Sequence, residues 1–382
     1  MHRYQNVVEL IRRRIGMGVL KVGDRLPSVR KLSKETGFSV LTVYHAYEIL
    51  ESQGVCEARD RSGFYVSSVP SIVREFPEVV PHSEGLARSI GNLPEAQILS
   101  WEKRRLYSFG SFQPATDLFK RENLDRAVRR VLRRGADRND AYNAPDGDRV
   151  LRHAIALRSA QRGIISNPSE IVVARSGMDA FNLCLDMFAE PLTTVLVESP
   201  SYFPMLASMK RRNLMALELY SHPKTGVDPE QFEYLLRTTG VKVCVLMAAN
   251  HFPTGVTYSR ESMMRIVKAA HDAGAVIIEN DMFGKLGYSS ERGSSLKEFD
   301  QNGTVVQIGS FATFLSPAYG LGWILAGPHA EALLANQYFS GLQVGDGMIQ
   351  RAIGEYLEEH SHSKHLRKIR NSWLRGCKRV WN

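Results

Sequence analysis

The chain has 382 residues, 43% of them hydrophobic and 23% charged, with a formal net charge of +9 and a pI near 9.4. Its length allows two or three domains, its mixed composition without a low-complexity tract excludes a disordered or fibrous chain, and no apolar run reaches the ~18 residues that span a bilayer. Four cysteines, Cys56, Cys184, Cys244 and Cys377, lie far apart without CxxC or metal spacing, which predicts reduced thiols, no metal site and a cytoplasmic location.

The first stretch, Tyr4 to Met17, places Val7, Val8, Leu10, Ile11 and Ile15 around Arg12, Arg13 and Arg14, the spacing of an amphipathic helix. Ser28 is an expected N-cap for a second helix, which Gly37 ends by supplying a left-handed turn, and Ser39 caps a third over Val40 to Gln53. Two short helices around a glycine turn form a helix-turn-helix, whose second helix enters the major groove by its N-terminus. Val55 to Arg59 and Phe64 to Val66, separated by Asp60-Arg61-Ser62-Gly63, read as a β-hairpin wing.

Over GDRLPSVRKLSKETGFSVLTVYHAYEILESQGV and RSGFYV this segment resembles the winged helix of the GntR family. The resemblance implies contact with double-stranded DNA through Arg30 of the second helix and through Ser39, Thr42, Tyr44 and His45 of the third, with Arg61 and Gly63 setting the wing against the DNA. Alternatives stay open: Arg30 as a solvated charge, and Tyr44 or His45 packed on an apolar face. Val40 departs from the family, which often has arginine there; a valine makes no bidentate bond to guanine, so specificity at that position is expected to be apolar, to a thymine methyl. Residues 1–70 carry 11 Lys+Arg against 7 Asp+Glu, a net +4. That excess suits phosphate contacts but leaves tight binding to a dimer reading two half-sites.

Residues 1–68 are thus expected to form the DNA-binding domain and residues 69–100 an extended linker, marked by Pro70, Pro77 and Pro81, with a short helix expected within Leu86 to Leu99. From residue 101 to 382, apolar runs recur at Ile171–Val173, Thr194–Val197, Met215–Leu219, Val241–Met247, Ala275–Ile278, Thr304–Ile308 and Gly322–Leu325. Most are separated by amphipathic stretches at Asp179–Met187, Gln231–Leu236 and Arg260–Ala273. That alternation predicts an α/β domain with a mostly parallel sheet of seven strands buried on both faces.

With its motifs, this region resembles the large domain of fold-type I pyridoxal-phosphate enzymes, and the two parts together resemble the MocR subfamily of transcriptional regulators. The stretch Ser310-Phe311-Ala312-Thr313-Phe314-Leu315-Ser316-Pro317-Ala318-Tyr319-Gly320-Leu321-Gly322-Trp323 is similar to the family signature whose lysine forms a Schiff base with the cofactor and whose arginine holds its phosphate. Thr313 stands at the lysine position and Gly320 at the arginine position; a hydroxyl forms no imine and glycine carries no charge. The resemblance also implies a phosphate cradle at Ser176, Gly177 and Met178, a phosphate contact from Tyr142 across a dimer, a ring stacked on Tyr202, and a phosphate contact at Ser310. Against these stand Phe252 at the position of an asparagine, Asn280 at that of the aspartate which pairs with the ring nitrogen, and Phe283 at that of a tyrosine. Phe112 replaces a glycine. An amide does not stabilise a protonated ring nitrogen as a carboxylate does.

Lys285 is the nearest lysine, expected in a turn past a strand end. Ala330 to His360 reads as helices, and HSKHLRKIRNSWLRGCKRVWN as a basic helix with Leu366, Ile369, Trp373 and Val380 on an apolar face that calls for a covering partner. The resemblance further implies a small C-terminal domain, largely missing here. The expectation is a homodimeric, DNA-binding regulator without transaminase activity, covalent cofactor or membrane segment, with or without a small-molecule effector. Two alternatives remain: an enzyme of altered chemistry that holds pyridoxal phosphate non-covalently or uses Lys285, and an inactive truncated regulator.

Overall fold

The computed structural model describes residues 3–52, 55–59, 62–66, 87–91, 119, 121–134, 146–287, 295–340, 347–360 and 366–372. The chain divides into two units, one built mainly on residues 1–77 and the other on 78–287 and 294–366.

In the first unit, α1 (Arg3–Gly16) buries Val7, Val8 and Ile11. Ser28 caps α2 (Val29–Thr36) by accepting from Lys31 N at 3.2 Å, and Gly37, at φ +72°, ends it with an amide that donates to Ser33 O. Ser39 Oγ accepts from Thr42 N at 3.1 Å and so starts α3 (Val40–Ser52). Val43, Ala46, Tyr47 and Leu50 face inward against Leu32 and Ile11, and the Tyr47 hydroxyl donates to Pro27 O at 2.8 Å. Each buried Val, Leu or Ile side chain here contributes roughly 1.5–3 kcal/mol. The wing is an antiparallel pair, β1 (Cys56–Arg59) with β2 (Gly63–Val66), in the register Cys56 to Val66.

The second unit adds, in order, β3 (Arg88–Ser89), α4 (Glu122–Arg134), α5 (Arg149–Ala160), β4 (Ile171–Ala174), α6 (Gly177–Phe188), β5 (Thr194–Ser199), α7 (Phe203–Arg211), β6 (Met215–His222), β7 (Gly226–Val227), α8 (Pro229–Thr239), β8 (Val243–Leu246), α9 (Arg260–Asp272), β9 (Val276–Asn280), β10 (Val305–Ser310), β11 (Gly322–Leu325), α10 (Ala330–Phe339) and α11 (Gly347–Glu359). The main sheet runs β3-β6-β5-β8-β9-β10-β11-β4, with β7 paired to β6. β6, β5, β8, β9 and β10 are mutually parallel, while β11 runs against both β10 and β4. The chain therefore leaves β4, β5, β8, β9 and β10 at the same end of the sheet, that of their C-termini, where the loops that carry the motifs collect. β4, β8, β10 and β11 are buried at every residue, which explains why they are apolar apart from Gln307 and Ser310 of β10.

All seven expected strands are present, joined by the two-residue strands β3 and β7. Of the stretch Leu86 to Leu99, in which a short helix was expected, the described residues 87–91 pair Arg88 and Ser89 with Ala216 and Met215 at the sheet edge, and residues 92–99 lie outside the described residues. Helices α4 and α5 were not anticipated. They pack on α11 through Leu124, Val131, Leu151, Ile155, Ile353 and Leu357, with Arg130 paired to Glu355 at 3.0 Å. Over residues 366–372 the apolar face is not exposed: Leu366 and Ile369 are buried within the chain. Trp373, Val380 and Cys377 lie outside the described residues. Cys56, Cys184 and Cys244 are buried free thiols, and burial raises the pKa of Cys184 and Cys244.

No helix among the described residues is long and apolar enough to cross a membrane, and none of these residues form a His/Cys/Asp/Glu group able to hold a metal ion.

Gly309 illustrates how tightly the sheet is covered, since a Cβ there would overlap the Trp323 indole. Gly309→Ala is expected to lower stability by about 1–3 kcal/mol through overpacking, read as a fall in the urea midpoint at unchanged slope.

Candidate functional site

The helix-turn-helix presents its side chains unevenly. Arg30, in the first turn of α2, is exposed. Ser39 Oγ is spent on the start of α3 and lies 2.8 Å from Thr42 Oγ1, so these two hydroxyls serve each other and the helix end. Tyr44 is exposed with its ring edge-on to Phe64 of the wing, centroids 6.5 Å apart. His45 leans the other way, edge-on to Tyr4 of α1 at 4.9 Å, with Nδ1 3.9 Å from the Glu48 carboxylate. Gly63 sits at φ +104°, where a side chain is strained, and a Cβ there would lie 3.3 Å from Arg25 Nε. Arg61 lies outside the described residues. Beside the wing turn, Arg59 stacks on Tyr65, 4.3 Å from the ring centre, and the Tyr65 hydroxyl shares a 2.6 Å hydrogen bond with Ser62. Leu41, one step beyond Val40, is exposed as well.

In the second unit, the ends of β4, β9 and β10 bring most of the other expected residues together. Ser176 caps α6 by accepting from Asp179 N at 3.0 Å, and the Asp179 carboxylate accepts from Arg175 N at 2.9 Å. The N-terminus of α6, favourable for an anion, thus already holds a carboxylate of its own. A Cβ at Gly177 would overlap Met282 Sδ and approach Ser310 Cβ to 3.0 Å, so Met282 lies directly on the helix start. The partly exposed Met178 follows in the same turn. Ser310 is buried; its hydroxyl donates to Leu321 O at 3.4 Å and accepts from Ala312 N at 3.2 Å. Thr313 Oγ1 donates to Met282 O at 2.8 Å, with Ser310 O at 3.3 Å.

Asn280 is buried, its Nδ2 directed at Met205 Sδ (3.1 Å) and its Oδ1 accepting from Met282 N (3.0 Å). The adjacent Asp281 is buried in a bidentate pair with Arg162, one arm at 2.9 Å. Glu279 is tied down as well, accepting from Ser295 Oγ, Leu296 N, Lys297 N and Gln307 Nε2; burial, reinforced by Asp281, raises its pKa. Tyr202 lies edge-on to Phe203, Phe252 and Phe283 at 5.8, 5.8 and 6.3 Å, and burial pushes its hydroxyl up to about 12. Tyr142 and Phe112 lie outside the described residues.

A further buried cluster went unread in the sequence: Glu198, at the end of β5, accepts from the Tyr258 hydroxyl and Met247 N, with His251 Nε2 3.4 Å away. It holds the loop after β8 to β5.

These residues do not fit pyridoxal phosphate as an imine-forming cofactor. The hydroxyl of Thr313 is bonded to a carbonyl, the Asn280 amide is satisfied inside the fold, the neighbouring carboxylate is taken by Arg162, and Met282 covers the start of α6. Lys285 lies in the turn Gly284–Leu286 with its amine 4.4 Å from the Trp323 ring centre and 4.8 Å from that of Phe314. The rings favour the cation, but burial, aided by the nearby Arg162 charge, lowers its pKa to about 7.

Comparison with known proteins divides the chain the same way. Residues 3–66 match the bacterial regulatory proteins of the gntR family, and residues 109–373 match aminotransferase class I and II. An uncharacterized HTH-type transcriptional regulator, YdcR, of Escherichia coli (strain K12) is 32% identical over 381 residues, covering 100% of this chain and 81% of its own. The HTH-type transcriptional regulator TauR of Rhodobacter capsulatus is 27% identical over 354 residues, 89% of this chain and 71% of its own. Among solved structures, the kynurenine aminotransferase of Pyrococcus horikoshii superposes with a TM-score of 0.66 at 22% identity, over 73% of this chain and 71% of that one; this likeness concerns the fold alone.

Two measurements probe the second unit. Arg162→Ala strands the buried Asp281 carboxylate and is expected to cost about 3–5 kcal/mol, read in urea unfolding. For Lys285, the folded pKa of about 7 lies below the ~10.4 of an exposed lysine, so between those values the unfolded chain binds the extra proton and stability rises with pH. Lys285→Met should therefore be more stable than the parent below about pH 7 and lose that advantage by about pH 10, compared by unfolding midpoints across that range.

Proposed function

Since the chain belongs to the aminotransferase class I and II family and, with its gntR-type head, to the HTH-type transcriptional regulators of the MocR type, we propose that it regulates transcription as a cytoplasmic homodimer whose aminotransferase-like unit has no transaminase activity. In this reading residues 1–68 bind double-stranded DNA, residues 69–100 connect, and residues 101–382 hold two copies together, with or without an effector. Arg30, Ser39, Thr42, Tyr44, His45, Arg61 and Gly63 form or support the DNA surface.

The observation that carries the loss of transamination is the Thr313 hydroxyl, bonded to Met282 O at the position where the resemblance calls for an amine. Asn280, with both ends of its amide engaged, supports the same reading, because no carboxylate is left to hold a ring nitrogen protonated. The other residues of the former cofactor site, Tyr142, Ser176, Gly177, Met178, Tyr202 and Ser310, are assigned no catalytic part.

A second reading draws on Lys285, whose amine titrates near neutrality and is thus a competent nucleophile. Borohydride reduction of the full chain after mixing with pyridoxal phosphate separates the two: no trapped lysine adduct is expected, and an adduct mapped to Lys285 would establish the second. The regulator reading is tested by a gel shift of the intergenic DNA next to the gene, with and without pyridoxal phosphate. A specific shift that Arg30→Ala weakens, with a salt slope reduced by about one, is the expected result; no specific complex even in low salt would end it.

A further inference from the structure

Helix α3 carries an apolar face that the fold does not use. Val40, Leu41 and Tyr44 are 50%, 77% and 43% exposed. At i, i+1 and i+4 they share one side of the N-terminal half of the helix, while Val43, Ala46, Tyr47 and Leu50 take the side buried in the core. Tyr44 is steadied in this position by the edge of Phe64 on β2. The polar residues of the same turns are committed elsewhere: Ser39 and Thr42 to each other and to the helix start, His45 to Tyr4.

The charges around this face decide what it suits. Arg30, Lys31 and Lys34 are exposed on α2, the one acid of that helix, Glu35, is paired with Arg14, and the acids of α3, Glu48 and Glu51, stand only in its C-terminal half. An apolar strip with cations beside it fits an occupant that is anionic at its rim and apolar on its floor. The major groove of duplex DNA has this character wherever thymine 5-methyl groups line the floor between the phosphates. Guanine, by contrast, is read through bidentate donors, which Val40, Leu41 and Tyr44 cannot supply.

We propose that α3 reads its operator through thymine methyl groups packed against Val40, Leu41 and Tyr44. The proposal rests on the DNA-binding reading above and narrows it to one chemistry of recognition.

The test starts with the full chain and a random duplex library, from which bound sequences are selected; enrichment of thymine within each half-site is expected. Each enriched thymine is then replaced by uracil, which removes the methyl and keeps every hydrogen-bonding group. Affinity should fall about fourfold per contacted thymine, the worth of one buried methyl. In Leu41→Ser, whose site is exposed and whose melting temperature should match the parent's, the penalty at the thymine facing that residue should vanish. Val40→Arg should move the enriched base at its position toward guanine. If selection enriches a defined sequence but the parent binds its thymine and uracil forms equally, methyl recognition is overturned and DNA binding stands. If no sequence is enriched, both fall together.

Discussion

The buried pair between Arg162 and Asp281 governs the end of β9, and through it the whole region where the motifs meet. An unpaired carboxylate at that depth would be strongly destabilising, so Arg162, in the turn after α5, has to reach it with both nitrogens. Both carboxylate oxygens of Asp281 are engaged by Arg162, so the charge of the carboxylate is already paired within the protein. The neighbours follow from that anchoring. Asp281 N continues the ladder to Ile308 O at 2.9 Å, Asn280 turns its amide to Met205 and Met282, and Met282 offers its carbonyl to Thr313 and its sulfur to the start of α6. Gly284 completes the turn because a Cβ there would overlap Asp281 Oδ1.

On the proposed reading, Thr313 at the lysine position is one departure among several. A cofactor site keeps its polar groups aimed at a ligand and incompletely satisfied by protein. Here the polar groups at the ends of β9 and β10 are engaged within the protein, Asp281 by Arg162, Thr313 by Met282 O, Ser310 by Leu321 O and Asn280 by Met282 N and the Met205 sulfur. Such a cluster is stable without a ligand, and restoring one polar residue at a time would leave that residue buried without its former partner. The crowding of Gly177 by Met282 makes the point in steric terms, because Lys at position 313 would change neither that contact nor the Arg162 pair.

Much of the fold was legible from residue pattern. Strands buried on both faces write themselves as nearly continuous apolar runs, which placed most of the seven longer strands, while β6 shows itself by alternation, and Ser28, Gly37 and Ser39 mark their helix ends by chemistry that needs no tertiary context. Strands β3 and β7 were not legible, since two residues carry no period. Helix α4 was readable in principle, from Leu124, Ala127 and Val131, yet its dense arginines resemble a solvated segment until Glu355 is seen to neutralise Arg130 and Arg134. The candidate site was readable in identity and unreadable in arrangement. Thr313 and Asn280 announce missing groups, but nothing in the sequence says that Asp281 is occupied by a residue 119 positions away, or that Lys285 is tucked over Trp323.

The two units resolve the placement of polar and apolar groups in opposite ways, and the contrast locates where binding chemistry survives. At the β9 end, polar groups are inside and paired, so little there is left to gain from a ligand. On α3, apolar groups are outside and uncovered, held there by a helix whose other face, with Val43, Ala46, Tyr47 and Leu50, is committed to the core with Ile11 and Leu32. Leaving Leu41 in water forgoes roughly 1.5–3 kcal/mol of burial, free energy that becomes available only when another molecule covers it. The cations on α2 restrict that molecule to an anion with an apolar surface. Apolar side chains are uncovered in the second unit as well, Tyr338 and Phe339 at the end of α10 among them, so each unit keeps surface with free energy to gain from a partner.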